Sequence, residues 1–398
     1  MEDKRMDELL NEEIKVNDFE IKETEKIINQ KMNRRIIGKS LVVSIVVVII
    51  VICLGLGVFA YHHYLQEKNA FHLSDWEMVV EVPWIEDIKQ EQLEVMNAYT
   101  YVDAYITLFY PGFISTKTQA AHYEPYDITY GTYQIEAEII DLFDLTASNG
   151  NIENASINRT KVHISWSNIW LEDSIPSLSL DETKFQMYRQ NGYSLGEAKV
   201  PEEDLLRMKV EVEQLPKTSI VMMDVMLNDA MTIDALLEYQ RMHLDSRVVY
   251  VTTHYSDWAD FEENEYEYSH PYGFNLFEGM NIVDVRDEYK DKYPYLTLSG
   301  NNVYAITNKA NFWHYLPDYN EEMLTQHYLS CMKLLVNNDV AKWYKDDLKL
   351  IIEDVEENGV SVKGFRIYAT QDDALELFEN ANVKSIVLQD VKLSKYQK

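Results

Sequence analysis

Polar and apolar positions along the chain fall into three regimes. Residues 1–35 are dominated by charge, with single apolar residues set among acidic and basic ones. Ser40–Tyr61 carries no formal charge, and the remainder alternates short apolar stretches with polar ones. In the first regime, Asn17 followed by Glu20 has the spacing of a capping box. A helix beginning near Asp18 sets Ile21, Ile28 and Met32 along one stripe, with Ile27 at its edge. In the third regime, Ile128–Ile140 alternates in part, as a half-buried strand does; Asn149-Gly150 marks a turn, and Lys161–Leu171 reads as a second strand. Glu202–Val212 is predicted as a helix starting after Pro201. Ser219–Leu227 is a compact Val/Ile/Met run, Thr232 is placed to cap a helix over Ile233–Arg241, and Arg247–Thr253 returns as a strand. Two helices, Glu321–Val336 and Leu348–Glu357, precede a strand–helix–strand ending over Val360–Thr370, Asp372–Asn380 and Val383–Leu388. The pattern predicts a mixed α/β region in two parts, 62–216 and 217–398, divided near Pro216.

The uncharged stretch sets the layout. Its 22 residues rise about 33 Å as a helix, against a bilayer core of about 30 Å. Fifteen of the twenty residues Leu41–Ala60 are Val, Ile, Leu or Phe, worth roughly −5 to −9 kcal/mol of insertion free energy. Core helices of soluble proteins break their apolar runs sooner, within roughly 10–14 residues. Val58-Phe59-Ala60 has the look of a signal cleavage site, but the preceding region and the apolar run are both too long for a cleaved leader. The expectation is a transmembrane helix within 36–61. Lys31, Arg34, Arg35 and Lys39 stand on its N-terminal side, whereas the nearest base beyond it is Lys68, so the positive-inside bias puts residues 1–35 in the cytoplasm and the bulk outside. Tyr61 and Tyr64 suit the outer headgroup level. The expected protein is single-pass, with a short helical cytoplasmic segment.

Charge sharpens that picture. The chain carries a net charge of −31, with about −1 on residues 1–40 and −30 beyond residue 60. So acidic a region is repelled by anionic surfaces and excludes direct nucleic-acid binding, which needs a basic face. Two cysteines, Cys53 in the apolar run and Cys331, rule out a disulfide framework. Residues 1–35 contain neither His nor Cys, so a zinc-dependent fold is excluded there, and they are too short for a core of their own. A docking element that folds on a partner competes with a tail that only satisfies topology. The apolar positions Leu9, Leu10, Ile14, Phe19, Ile21 and Ile28 are the candidate contact.

Catalytic signals are weak. Gly192–Gly196 fits the nucleophile-elbow pattern around Ser194, yet Pro201 falls where the following helix needs its second turn. The acidic, aromatic segment His254–His270 matches no metal-ligand spacing. Cys331 sits beside Met332, Leu334 and Leu335, as an inert packed thiol does. No enzymatic activity, metal or cofactor is expected.

The stretch KIINQKMNRRIIGKSLVVSIVVVIIVICLGLGVFAYHHY resembles the N-terminal part of the sigma factor regulator family, the membrane-anchored anti-sigma factors of Gram-positive bacteria. SIVMMDVMLNDAMTIDALLEYQRMHLDSRVVYVTTH resembles the opening of that family's C-terminal domain, and VKGFRIYATQDDALELFENANVKSIVLQDV its close. The resemblance leaves roughly 119–216 less clearly covered. It implies inhibition of an extracytoplasmic-function sigma factor by the cytoplasmic segment, while the outer region takes in an envelope signal from an unknown ligand or partner protein. About 35 residues is short for enclosing a sigma factor, and no family contact residue carries over onto them. The competing expectation is an anchored binding or structural module without a transcriptional role.

Overall fold

A computed structural model describes residues 2–68, 73–82, 87–116, 132–143, 157–165, 168–171, 200–253, 273–277, 283–298 and 319–393. The chain divides into two compact units, Met1–Ala70 and Phe71–Lys398.

The first unit is one helix, α1 (Glu2–Lys68), of 67 residues. Asn17 lies inside it rather than at its start, so the helix expected from Asp18 begins a full four turns earlier. The physical reason is compositional. No Pro or Gly interrupts residues 2–37, and Glu, Lys, Leu, Met and Arg predominate near the start, all good helix formers. At about 1.5 Å per residue the helix is roughly 100 Å long.

The second unit begins with a short strand, β1 (Val80–Glu81), and α2 (Gln90–Phe109), a helix that the hydrophobic pattern does not announce. A meander follows: β2 (Phe113–Thr116), β3 (Thr132–Asp141), β4 (Ile157–Ser165) and β5 (Asn168–Leu171), each antiparallel to the next. The single strand expected over Lys161–Leu171 is thus two strands that pair with each other, Ser165 opposite Asn168. After α3 (Glu202–Glu213) come β6 (Ser219–Thr232), α4 (Ile233–Met242), β7 (Arg247–Thr253), β8 (Gly273–Asn275) and β9 (Asp284–Val285), the last pairing with β1. The C-terminal stretch holds α5 (Glu321–Asn337), α6 (Lys345–Asn358), β10 (Ser361–Thr370), α7 (Gln371–Glu379) and β11 (Val383–Leu393).

The main sheet has the order β11-β6-β10-β7-β8, antiparallel throughout. Two β-α-β units, β6-α4-β7 and β10-α7-β11, interleave so that each has a strand of the other between its own. This is the split β-α-β arrangement of ferredoxin-like sheets, with β8 added at one edge. Both crossover helices start on a threonine whose hydroxyl accepts a backbone N–H: Thr232 from Ala235 at 3.2 Å and Thr370 from Asp373 at 3.3 Å. One face of the sheet lies against α4, where Tyr239 meets Phe365 with ring centroids 6.1 Å apart. The other face lies under α2, whose Leu108 carbonyl accepts a hydrogen bond from the Tyr250 hydroxyl at 3.0 Å.

Pro216 is not a packing boundary, contrary to the expected division. α2 packs on α5 and β8, and α3 on α7 and β11, so elements before Pro216 supply layers for a sheet formed after it. The Gln371 side chain donates to the carbonyls of Val212, Glu213 and Leu215, closing the end of α3 onto the first residue of α7.

Candidate functional site

The apolar residues expected to form a contact all fall on α1, and helical geometry decides which share a face. At about 100° per residue, Leu10, Ile14, Ile21 and Ile28 fall within an arc of about 40°, and Met32 joins them. Leu9 lies roughly a third of a turn away and Phe19 nearly opposite. The expected six-residue patch is therefore a stripe of four plus Met32, without Leu9 and Phe19. Ile28 and Met32 are 52% and 53% exposed.

Farther along α1, residues Leu41–Tyr61 present large apolar side chains at 48–69% exposure wherever a value is defined, among them Val48, Ile50, Leu54 and Phe59. The part of α1 over Lys22–Tyr61 is long and apolar enough to cross a membrane, with an 18-residue window of mean hydropathy 3.3, none of it buried. Lys31, Arg34, Arg35 and Lys39 are exposed on the N-terminal side of Leu41–Tyr61 and Tyr61 at its other end; Tyr64 lies within α1, and its side chain is outside the described residues.

In the α/β unit, the most elaborate polar group is buried in the sheet rather than open to a ligand. Arg366 on β10 donates to both carboxylate oxygens of Asp224 on β6, at 2.7 and 2.9 Å, and to the Pro111 carbonyl at 2.8 Å. Gln389 on β11 adds a bond to Asp224 at 2.6 Å. Beside them, Asn275 accepts the Gly112 N–H at 2.8 Å and donates to the carbonyls of Tyr110 (3.1 Å) and Phe113 (2.8 Å). Gly112 has φ +81°, and an added Cβ would meet the Tyr368 hydroxyl at 2.6 Å, so only glycine fits this close turn. Together the two groups anchor the turn after α2 to the sheet. No short-range signal marks them, because the partners lie 142 to 255 positions apart.

Three further features bring together groups capable of chemistry. His243 at the end of α4 faces Asp373 (Nδ1 to Oδ1, 3.3 Å) and Glu376 (Nε2 to Oε1, 3.9 Å), and the Ser246 hydroxyl donates to Asp373 at 2.5 Å. The imidazole joins α4 to α7 through its hydrogen bond to Asp373, while Glu376 at 3.9 Å is beyond hydrogen-bond reach; one ligand atom from each of His243, Asp373 and Glu376 lies within 4.8 Å of the others, close enough to hold a metal ion. A cavity of about 30 Å³ between Leu237, Arg247, Leu276, Phe277 and Tyr319 has room for one or two waters. Arg247 lies over the Phe277 ring at 5.3 Å, and burial pushes its guanidinium down to about 9, which leaves it charged at neutral pH. On α5, His327 donates from Nδ1 to the Tyr295 carbonyl at 2.8 Å, and Cys331 Sγ lies 3.9 Å from its other nitrogen. Burial lowers the His327 pKa to about 4, the Tyr295 bond opposing in part; the neutral imidazole and the buried Cys331 fill core volume. Gly192–Gly196 and His254–His270 lie outside the described residues.

Set against known proteins, the chain matches no family model, and no curated protein or solved structure matches it.

Proposed function

We propose that the protein is a membrane-anchored anti-sigma factor. Residues 1–35 hold a sigma factor at the cytoplasmic face, a single span crosses the membrane, and the α/β unit outside takes in an envelope signal from a ligand or partner protein. The observation that supports this reading is the order of features on α1. A charged helical stretch with one apolar stripe leads directly into an uncharged lipid-length stretch, and of the flanks of that stretch only the N-terminal one has bases close by: Lys31, Arg34, Arg35 and Lys39. Nothing in residues 1–35 has the spacing of a catalytic or phosphate-binding motif, so an inward signal must pass to a separate protein. Burying the stripe of Leu10, Ile14, Ile21 and Ile28 contributes roughly 6–12 kcal/mol gross at ~1.5–3 kcal/mol per side chain. A helix already formed before docking avoids part of the ordering cost of ~1–2 kcal/mol per residue.

The test is transcriptional. Leu10→Asp combined with Ile14→Asp is expected to derepress the target genes while the protein still fractionates with membranes. Unchanged transcription in that variant, and on deletion of residues 1–30, would leave the anchored binding module as the better account.

A further inference from the structure

The register of α1 goes further than the proposed function and names the chemistry of the partner. Leu10, Ile14, Ile21 and Ile28 follow one another at steps of four, seven and seven, the spacing of a coiled-coil seam, and Met32 lies at its edge. With Ile14, Ile21 and Ile28 as the a positions, Leu10, Asn17, Thr24 and Lys31 take the d positions and Met32 an e position. Both borders of this seam are acidic: Glu13 and Glu20 occupy one side, Asp18 and Glu25 the other. Three basic residues of the same stretch, Lys15, Lys22 and Lys26, fall on the outer faces of the helix, and Lys31 ends the seam at its last d position.

These borders select among the possible occupants. Pairing of two copies in parallel sets Glu13 against Asp18 and Glu20 against Glu25, and antiparallel pairing sets acid against acid along each border. Self-association along this seam therefore meets repulsion at two of its three border pairs, the third being Ile27 with Met32. An anionic membrane surface is repelled by the same four carboxylates. We infer that the Leu10–Met32 face of α1 docks one amphipathic helix of a cytoplasmic protein, whose own apolar seam is bordered by Lys or Arg. Asn17 at a d position sets the register of that pairing, since a buried Asn is tolerated only opposite a polar partner. The inference rests on the reading that residues 1–35 face the cytoplasm and engage a protein. It does not depend on that protein being a sigma factor.

The probes are two synthetic helices with identical Ile/Leu seams that each carry one Asn opposite Asn17, one with Lys and one with Glu at every border position. They are titrated against the full-length protein in zwitterionic nanodiscs and followed by fluorescence anisotropy. The Lys-bordered probe is expected to bind at least about tenfold tighter than the Glu-bordered one, with the advantage shrinking as salt shortens the Debye length from about 10 to about 3 Å. Ile14→Asp with Ile21→Asp should abolish binding. Replacing Glu13, Asp18, Glu20 and Glu25 by Lys should invert the preference, a readout that mere loss of helix cannot produce. Equal binding of both probes, an uninverted preference in the Lys variant, or self-association of the unaltered chain through this face would overturn the inference. If the Lys-bordered probe binds selectively while transcription ignores Leu10→Asp with Ile14→Asp, the docking chemistry stands and the anti-sigma reading falls. Derepression with no probe selectivity would instead overturn the docking chemistry and leave the anti-sigma reading standing.

Discussion

His327 shows how one buried side chain sets a pH window. It is 1% exposed and neutral, with one nitrogen donating to Tyr295 and the other beside Cys331. Its folded pKa of about 4 lies below an ordinary histidine value of about 6.5, so the unfolded chain binds the proton more readily. Stability is therefore fully present above about pH 6.5 and falls as pH drops toward 4, by about 3 kcal/mol over the interval at ~1.4 kcal/mol per unit. His327→Asn keeps a donor on that side chain and removes the titration, so denaturant unfolding between pH 6.5 and 4 should lose much of its pH dependence. An undiminished slope in the variant would show that other groups carry it. Glu77 acts lower on the scale. Burial raises its carboxyl, but hydrogen bonds from Lys292 (2.5 Å) and Tyr293 (2.7 Å) outweigh that and leave it lowered. Its contribution is present above the usual glutamate range and is lost only as pH falls below it.

Among elements, legibility followed the range of the cause. Helix α4, strand β7 and the ending β10-α7-β11 lie within a few residues of where periodicity and, for α4, the capping Thr232 put them, because amphipathic spacing and N-caps are local. Helix α2 gave no such signal: from Met96 to Leu108 nearly every position is buried, so no polar face remains to show a period. Its placement depends on the buried pair. Removing Arg366 alone (Arg366→Met) leaves Asp224 charged and buried, and should cost roughly 3–5 kcal/mol. Adding Asp224→Leu should recover a substantial part, since apolar replacement of both charges removes the desolvation penalty. Chemical denaturation of the two variants checks this; a double variant as unstable as the single would show that the anchoring of Pro111, not charge burial, dominates.

For the whole molecule, the two units treat their apolar surface differently. Residues Leu41–Tyr61 expose apolar side chains that water would penalise at about 25 cal/mol per Å², whereas the α/β unit closes its own core around Tyr101, Tyr250, Tyr328 and Tyr368. The orientation proposed above puts that acidic unit outside. Protease added to intact cells should then remove an epitope tag at Lys398 and spare one at Met1. The opposite pattern would place the α/β unit inside and end the proposed relay.

Local order along the chain was enough to specify the lipid-length stretch, the bases beside it, and most crossover strands and helices, since each depends on neighbours within a turn or two. It was also enough for the stripe on α1 once the helix was known to run unbroken from Glu2, because register on one helix is arithmetic. Tertiary structure alone decided that Arg366 meets Asp224, that Asn275 closes the end of α2, and that elements on both sides of Pro216 share one core. Those pairings depend on desolvation by segments more than a hundred residues away, and no short window of sequence contains both the group that is buried and the surface that buries it.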